Sequence, residues 1–215
     1  MRSVSRSLAA LAAVVALTLA SGMAAAEDAD SVSPEAQAEF SKRIFNGAPA
    51  AKANTYACFI RRYDADHLAR HPDQKVSQMK LLVTSEWNAE EKQLIPNFRL
   101  GVRFRNKRGD YDSSGGCNHV RLEEANKEVR LGCGVDCDGG GIGIAMGKDD
   151  NSTIVRLERV RIWQKGKPDE DASGELSAGK DDAIFRLDRA SLDECQPLVH
   201  DRKELAKMRS VSNRK

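Results

Sequence analysis

The residues best equipped for chemistry lie between Cys117 and Asp138. The run CGVDCDGGGIG, Cys133 to Gly143, sets Asp136 and Asp138 beside three successive glycines. Two carboxylates on a tight turn offer hard oxygen ligands of the kind calcium takes. An EF-hand needs further carboxylates and a closing glutamate, whereas here Ile142 to Met146 resume an apolar alternation. A strained hairpin turn is therefore the expected structure, with calcium as the lesser reading. Cys117, His119, Cys133 and Cys137 also form a set of zinc-type donors. In an oxidising compartment thiols so placed form a disulfide in preference, leaving the imidazole as a surface residue. No phosphate cradle is present, because the segment from Gly143 to Asp149 lacks the P-loop spacing and has no Ser or Thr after Lys148.

Outside that corner the chemical signals thin out. The stretch DSSGGC, Asp112 to Cys117, resembles over five residues the serine-nucleophile loop of trypsin-like proteases, GDSGG. It carries an extra serine and lacks the leading glycine, and no upstream segment supplies the histidine base, so a flexible hairpin loop is expected. There is no G-x-S-x-G elbow and no H-E-x-x-H pair. His67 and His71 have metal-like spacing, with Asp64 and Asp66 nearby. Pro72 disfavours helical geometry at His71, so a short turn capped by Asp64 is expected, with rings that need not share a face. The sequence holds four histidines, few for general-base work. Carboxylates are abundant, but abundance singles out none.

The elements that must position these residues are mostly strands. In NFRLGVRFRN, Phe98, Leu100, Val102 and Phe104 alternate with Arg99, Arg103 and Arg105. The same period of two runs through Leu81, Val83, Ser85 and Trp87, through Val129, Leu131, Cys133 and Val135, and through Ile142, Ile144 and Met146. Strands are expected over 56–63, 76–87, 98–105, 120–123, 128–135, 142–146, 153–163 and 183–187, with a β-bulge where the alternation slips at Glu158-Arg159. The segments 106–119 and 164–180 read as long polar loops. Ahead of the strands, Ser33, Pro34 and Glu35 mark a helix start, Ala36, Phe40 and Ile44 its apolar stripe, and Asn46-Gly47 its stop.

The expected fold is thus a mostly β domain of about eight strands with one N-terminal amphipathic helix: a single antiparallel β-barrel, or a sandwich as second choice. The barrel is similar in outline to calycin-like barrels, although no lipocalin signature is present, and fold-level likeness says little about function. First and last strands adjoin in a closed barrel, which pairs Cys58 with Cys195. Cys133 and Cys137 on one extended strand would stand about 13 Å apart, too far to bond each other, so Cys117 is expected to pair with one of them.

The chain opens with Arg2 and Arg6, an uncharged run from Leu8 to Ala20, and small residues up to Ala26. That pattern reads as a signal peptide over residues 1–26, with the mature chain beginning at Glu27 in the periplasm or outside the cell. No cysteine follows for lipid attachment, and no later apolar run is long enough for a membrane span. The domain plan is then a lead-in and helix over 27–55, a β domain over 56–199, and a basic tail or short helix over 200–215. Of 34 basic residues two fall in the signal, leaving 32 against 32 acidic ones. A neutral, mixed surface excludes a dedicated nucleic-acid binder. The outward arginines Arg99, Arg103, Arg105, Arg156, Arg159 and Arg161 are expected to pair with acids such as Glu123, Glu128 and Glu158. With no cofactor motif, the first functional expectation is a non-enzymatic exported protein that binds a small ligand or an envelope protein. A hydrolase or metal-binding protein with its site near Cys117 to Asp138 is the alternative, and an inhibitor of a secreted enzyme the third.

Overall fold

The computed structural model describes residues 31–121, 128–136, 138–165, 167 and 173–212. The signal-peptide reading, the start at Glu27, Glu123 and Cys137 lie outside the described residues. Among those described, nine antiparallel strands form one sheet: β1 Thr55–Arg62, β2 Val76–Asn88, β3 Gln93–Phe104, β4 Tyr111–Arg121, β5 Val129–Gly134, β6 Gly140–Met146, β7 Ser152–Gln164, β8 Ser173–Ser177 and β9 Ile184–Ala190. Their order is β6-β5-β4-β3-β2-β1-β9-β7-β8, and β7 pairs in addition with β6 along its length and with β4 at Gln164 and Trp163.

The expectation of a simple eight-strand β-barrel is corrected by this pairing. In such a barrel every strand has two neighbours. Here β7 has four partners, β4, β6, β8 and β9, and β8 is a ninth strand bonded to β7 alone. The sandwich fails as well, because all nine strands belong to one sheet. The cause is local to β7. Between buried Leu157 and Val160, both Glu158 and Arg159 face solvent, and the register against β6 shifts between Gly141 and Ile142. This bulge re-aims the strand. Ser152 to Arg156 then pair with β9, and Arg159 to Trp163 with β8.

Two expected loops prove to be strand. β4 begins at Tyr111, so DSSGGC lies within the sheet between β3 and β5, and β8 occupies part of the segment read as a polar loop over 164–180. Serine and glycine are poor strand formers by themselves, and pairing with β3 from Tyr111 to Gly116 and with β5 from Gly116 onward overrides that weakness in β4.

The inward residues of all nine strands gather into one core that includes Phe59, Leu81, Phe98, Leu100, Leu131, Ile144, Leu157, Leu176 and Phe185. Helix α1, Pro34–Phe45, adds Phe40, Ile44 and Phe45 to it. The helix is built as its sequence implies: the Ser33 hydroxyl accepts from the Ala36 N–H, Pro34 sits in the first turn, and Asn46 closes it in the left-handed conformation at φ 55°. Helix α2, Ala65–Arg70, is the turn capped by Asp64.

The opposite face of β1 and β2 carries a second cluster. Tyr56, Cys58 and Leu82 pack there against Cys195, Leu198, Val199 and Met208. These come from α3, Leu192–Cys195, the 3-10 turn Gln196–Leu198, and α4, Arg202–Ser212. The basic end of the chain is therefore a docked helix over its described length. Glu204 of α4 receives both terminal nitrogens of Arg99 at 2.8 Å, which roofs an arginine expected to face solvent. Arg103 and Arg105 do stay exposed, opposite buried Leu100 and Val102.

A candidate binding groove floored by glycine

The Cys117 to Asp138 corner is organised by backbone pairing and a disulfide. Cys117 and Cys133 are direct cross-strand partners on β4 and β5 and are bonded to each other, and Cys58 is bonded to Cys195. Cys117 and Cys133 are thus unavailable as zinc ligands. His119 packs edge-on against Phe40 with ring centroids 5.7 Å apart, and burial lowers its pKa below the ordinary imidazole range.

Asp136 and Asp138 occupy the turn joining β5 to β6. The turn is tight: Asp138 is left-handed at φ 59°, and its carbonyl accepts from an Arg159 terminal nitrogen at 3.0 Å. Gly140, at φ 70°, has no room for a side chain, since an added Cβ would lie 2.0 Å from the Arg159 carbonyl oxygen. Among the described residues no three His, Cys, Asp or Glu side chains converge as metal ligands would.

His67 and His71 depart from expectation in the other direction. Their rings stack at 4.4 Å, and the Tyr63 ring lies tilted against His67 with centroids 4.6 Å apart. His71 leaves the helix as its C-cap at φ −120°, yet the ring remains over the preceding turn. His67 Nε2 meets Gln74 Oε1 at 3.0 Å, and His71 Nδ1 lies 3.8 Å from Asp181. This is a side-chain ladder tying α2 to the sheet.

A recess of different character lies on the outer face of β5, β6 and β7. Cross-strand register aligns Asn118, Gly132, Gly143 and Arg156 in one outward row, and Gly116, Gly134, Gly141 and Arg159 in the next. Gly132, Gly134, Gly141 and Gly143 leave bare backbone between Val120 and Arg130 on one side and Arg156 and Glu158 on the other, enclosing a groove of about 380 Å³. The strand backbone beneath is paired, so the floor offers a flat apolar surface rather than hydrogen bonds.

Steric need explains only part of that bareness. Gly141 must be glycine, because a Cβ would stand 2.0 Å from the Cys133 carbonyl oxygen. At Gly143 the nearest atom to an added Cβ is 3.8 Å away, and at Gly134 it is 4.0 Å, both ordinary contacts. Glycine weakens a strand interior, so its use where a larger residue fits points to the surface it leaves open.

The charged residues lining the groove are Arg130, Arg156 and Glu158. Arg99, Arg103 and Arg159 pair with Glu204, Asp110 and Glu175, largely other acids than Glu123, Glu128 and Glu158. Arg130 reaches Glu128 at 3.2 Å through one terminal nitrogen. Its side chain is only 8% exposed, and its Nε, itself shielded from solvent, has no hydrogen-bond partner among the described residues. A buried donor left unsatisfied is costly. Arg156 is exposed and forms no ion pair among the described residues.

Sequence reasoning named Arg156 within a stripe of arginines but missed Arg130 and the glycine floor. The signal was there in LGCG and GIGI, where glycine alternates with inward residues on adjacent strands. No family model matches the chain, and no curated protein or solved structure matches it. Among the described residues no helix is long and apolar enough to cross a membrane.

Proposed function

We propose that this is an exported, non-enzymatic binding protein that takes its ligand on the outer face of β5, β6 and β7. The observation that carries the proposal is a groove whose floor includes Gly134 and Gly143, where an added Cβ would meet only ordinary contacts, lined by the exposed Arg156 and Glu158. The inside of the sheet is a poor alternative, since Phe98, Leu100, Val102, Ile142 and Ile144 are packed together in one core. Export follows from the reading of residues 1–26 and agrees in chemistry with two disulfides, which persist in oxidising compartments.

Native mass spectrometry of the protein purified from its exporting cell tests the proposal. The natural chain is expected to carry an added mass that the groove-filling variant Gly143→Leu lacks. A mass retained equally by both, or no added mass in either, counts against it.

A further inference from the structure

We infer that a second site lies between α1 and the hairpin of β2 and β3, and that it takes a small uncharged molecule with an apolar body and one hydroxyl. β1 pairs with β2 only as far as Ser85, and β4 pairs with β3 only from Asn97 onward. Residues 86–96 therefore project past the flanking strands as a two-stranded arm. Helix α1 rests on β1, β5 and β6, and a cleft of about 280 Å³ opens between the helix and the arm. Helical spacing puts Pro34, Ala38, Ser41 and Phe45 on the flank of α1 that shares the cleft with Leu94 and Pro96. Ala38 and Ser41 are too short to close the gap.

Charge specifies the occupant. Although 31% of the chain is Asp, Glu, Lys or Arg, none of the fourteen residues lining this cleft is one of them. The recesses at Lys80 and Asp112 and at Tyr63 and Asp181 each carry charged side chains. An ion entering the cleft would lose hydration and meet no opposite charge, whereas an apolar body loses nothing. The volume lies near the low end for small-molecule pockets, which are mostly apolar with a few placed polar groups.

The placed groups here are Ser41 and His119. Ser41 Oγ stands 3.5 Å from His119 Nε2, at the long limit of a hydrogen bond, so neither satisfies the other well. Burial lowers the imidazole pKa, which keeps the ring neutral at pH 7.5. Whichever role Nε2 takes, a ligand hydroxyl both donates and accepts, and so completes the pair.

The probes are 2-naphthol, naphthalene and 2-naphthoate, titrated at pH 7.5 into the ¹⁵N-labelled mature protein. With 2-naphthol the Ala38, Ser41, Leu94 and His119 amides should move along one binding curve while those of Gly132 and Gly143 stay still. Naphthalene should bind about fivefold to tenfold more weakly, the loss of one neutral hydrogen bond. Naphthoate should be weaker than naphthol by about tenfold or more. Ser41→Ala should bring naphthol down to the affinity of naphthalene and leave naphthalene unchanged, a selective loss that a merely structural serine would not produce. Ala38→Leu, which fills the cleft from an exposed helix position, should abolish binding of both.

Naphthoate as tight as naphthol, a naphthol preference that survives in Ser41→Ala, or no saturable shift at the cleft would overturn the assignment. Shifts confined to Gly132 and Gly143 would overturn it while supporting the glycine groove on the opposite face of β5.

Discussion

The guanidinium of Arg189 lies over the ring of Phe59, 4.7 Å from its centroid, and from there reaches three carbonyls that belong to two other elements. It donates to Ile44 at 2.9 Å and to Arg43 at 3.1 Å, the last turn of α1, and to Asp150 at 2.8 Å in the turn between β6 and β7. One side chain of β9 thus caps the Ile44 carbonyl and adds a second donor to the Arg43 carbonyl that Asn46 N–H already reaches, at a helix end where a cation also meets the favourable end of the helix dipole. Burial lowers the pKa of this arginine, and Asp150 opposes that shift.

Arg189→Gln should therefore loosen α1 from the sheet. The expected loss is about 2–4 kcal/mol, combining charged hydrogen bonds and the ring contact. Urea denaturation followed by intrinsic fluorescence measures it, and amide exchange should quicken selectively across α1. A variant as stable as the natural chain would show that the latch contributes nothing.

The glycine floor makes an unusual stability prediction. Gly143→Val should be neutral or stabilise by up to about 1 kcal/mol, because a β-branched residue is preferred in a strand and the Cβ has room. Gly141→Val should unfold the domain, since its Cβ would overlap the Cys133 carbonyl oxygen. Thermal melts of the two variants separate bareness that the backbone demands from bareness that it does not. Equal destabilisation would make the floor purely structural.

The two disulfides should differ in weight. Cys58 and Cys195 are 137 residues apart and Cys117 and Cys133 are 16 apart. The chain-entropy model gives about 5 kcal/mol for the first link and about 3 for the second. The long link also holds α3 against β1, where Cys58 and Cys195 are both buried. Paired serine variants, Cys58→Ser with Cys195→Ser and Cys117→Ser with Cys133→Ser, compared by chemical denaturation, should keep that order. A larger loss from the short link would contradict it.

His119 gives the fold an acid sensitivity. Burial lowers its folded-state pKa below the ordinary value of 6.5, so the unfolded chain binds this proton more readily. Well above pH 6.5 the group is neutral in both states and contributes no difference. As pH falls through 6.5 toward the lowered folded value, stability is lost. His119→Gln removes that term, so its urea midpoint should fall less than that of the natural chain between pH 7.5 and 5. Parallel falls would remove His119 as a cause.

Much of this molecule was legible in single residues. The alternation in NFRLGVRFRN placed Leu100 and Val102 inside and Arg103 and Arg105 outside, because a one-residue slip would bury every charge. The slip at Glu158-Arg159 announced the bulge. The first and last strands, β1 and β9, do pair, and they bring Cys58 to Cys195. What stayed hidden was non-local. Nothing in DSSGGC says that it will pair along β3 and pass on to β5, and nothing at Glu158 says that the bulge will hand β7 from one partner to another. The docking of α4 depends on Arg99 meeting Glu204 across 105 residues. The groove was missed for a related reason: glycines read one at a time look like turns, and only register puts four of them side by side.

The central claim is that recognition occurs over Gly132 and Gly143 rather than inside the sheet, and the position of a bound molecule tests it most directly. A crystal structure of the protein with the molecule it retains from its exporting cell should show density lying on that floor. Density among Phe98, Leu100 and Ile144, or on any other face with the groove empty, would contradict the account.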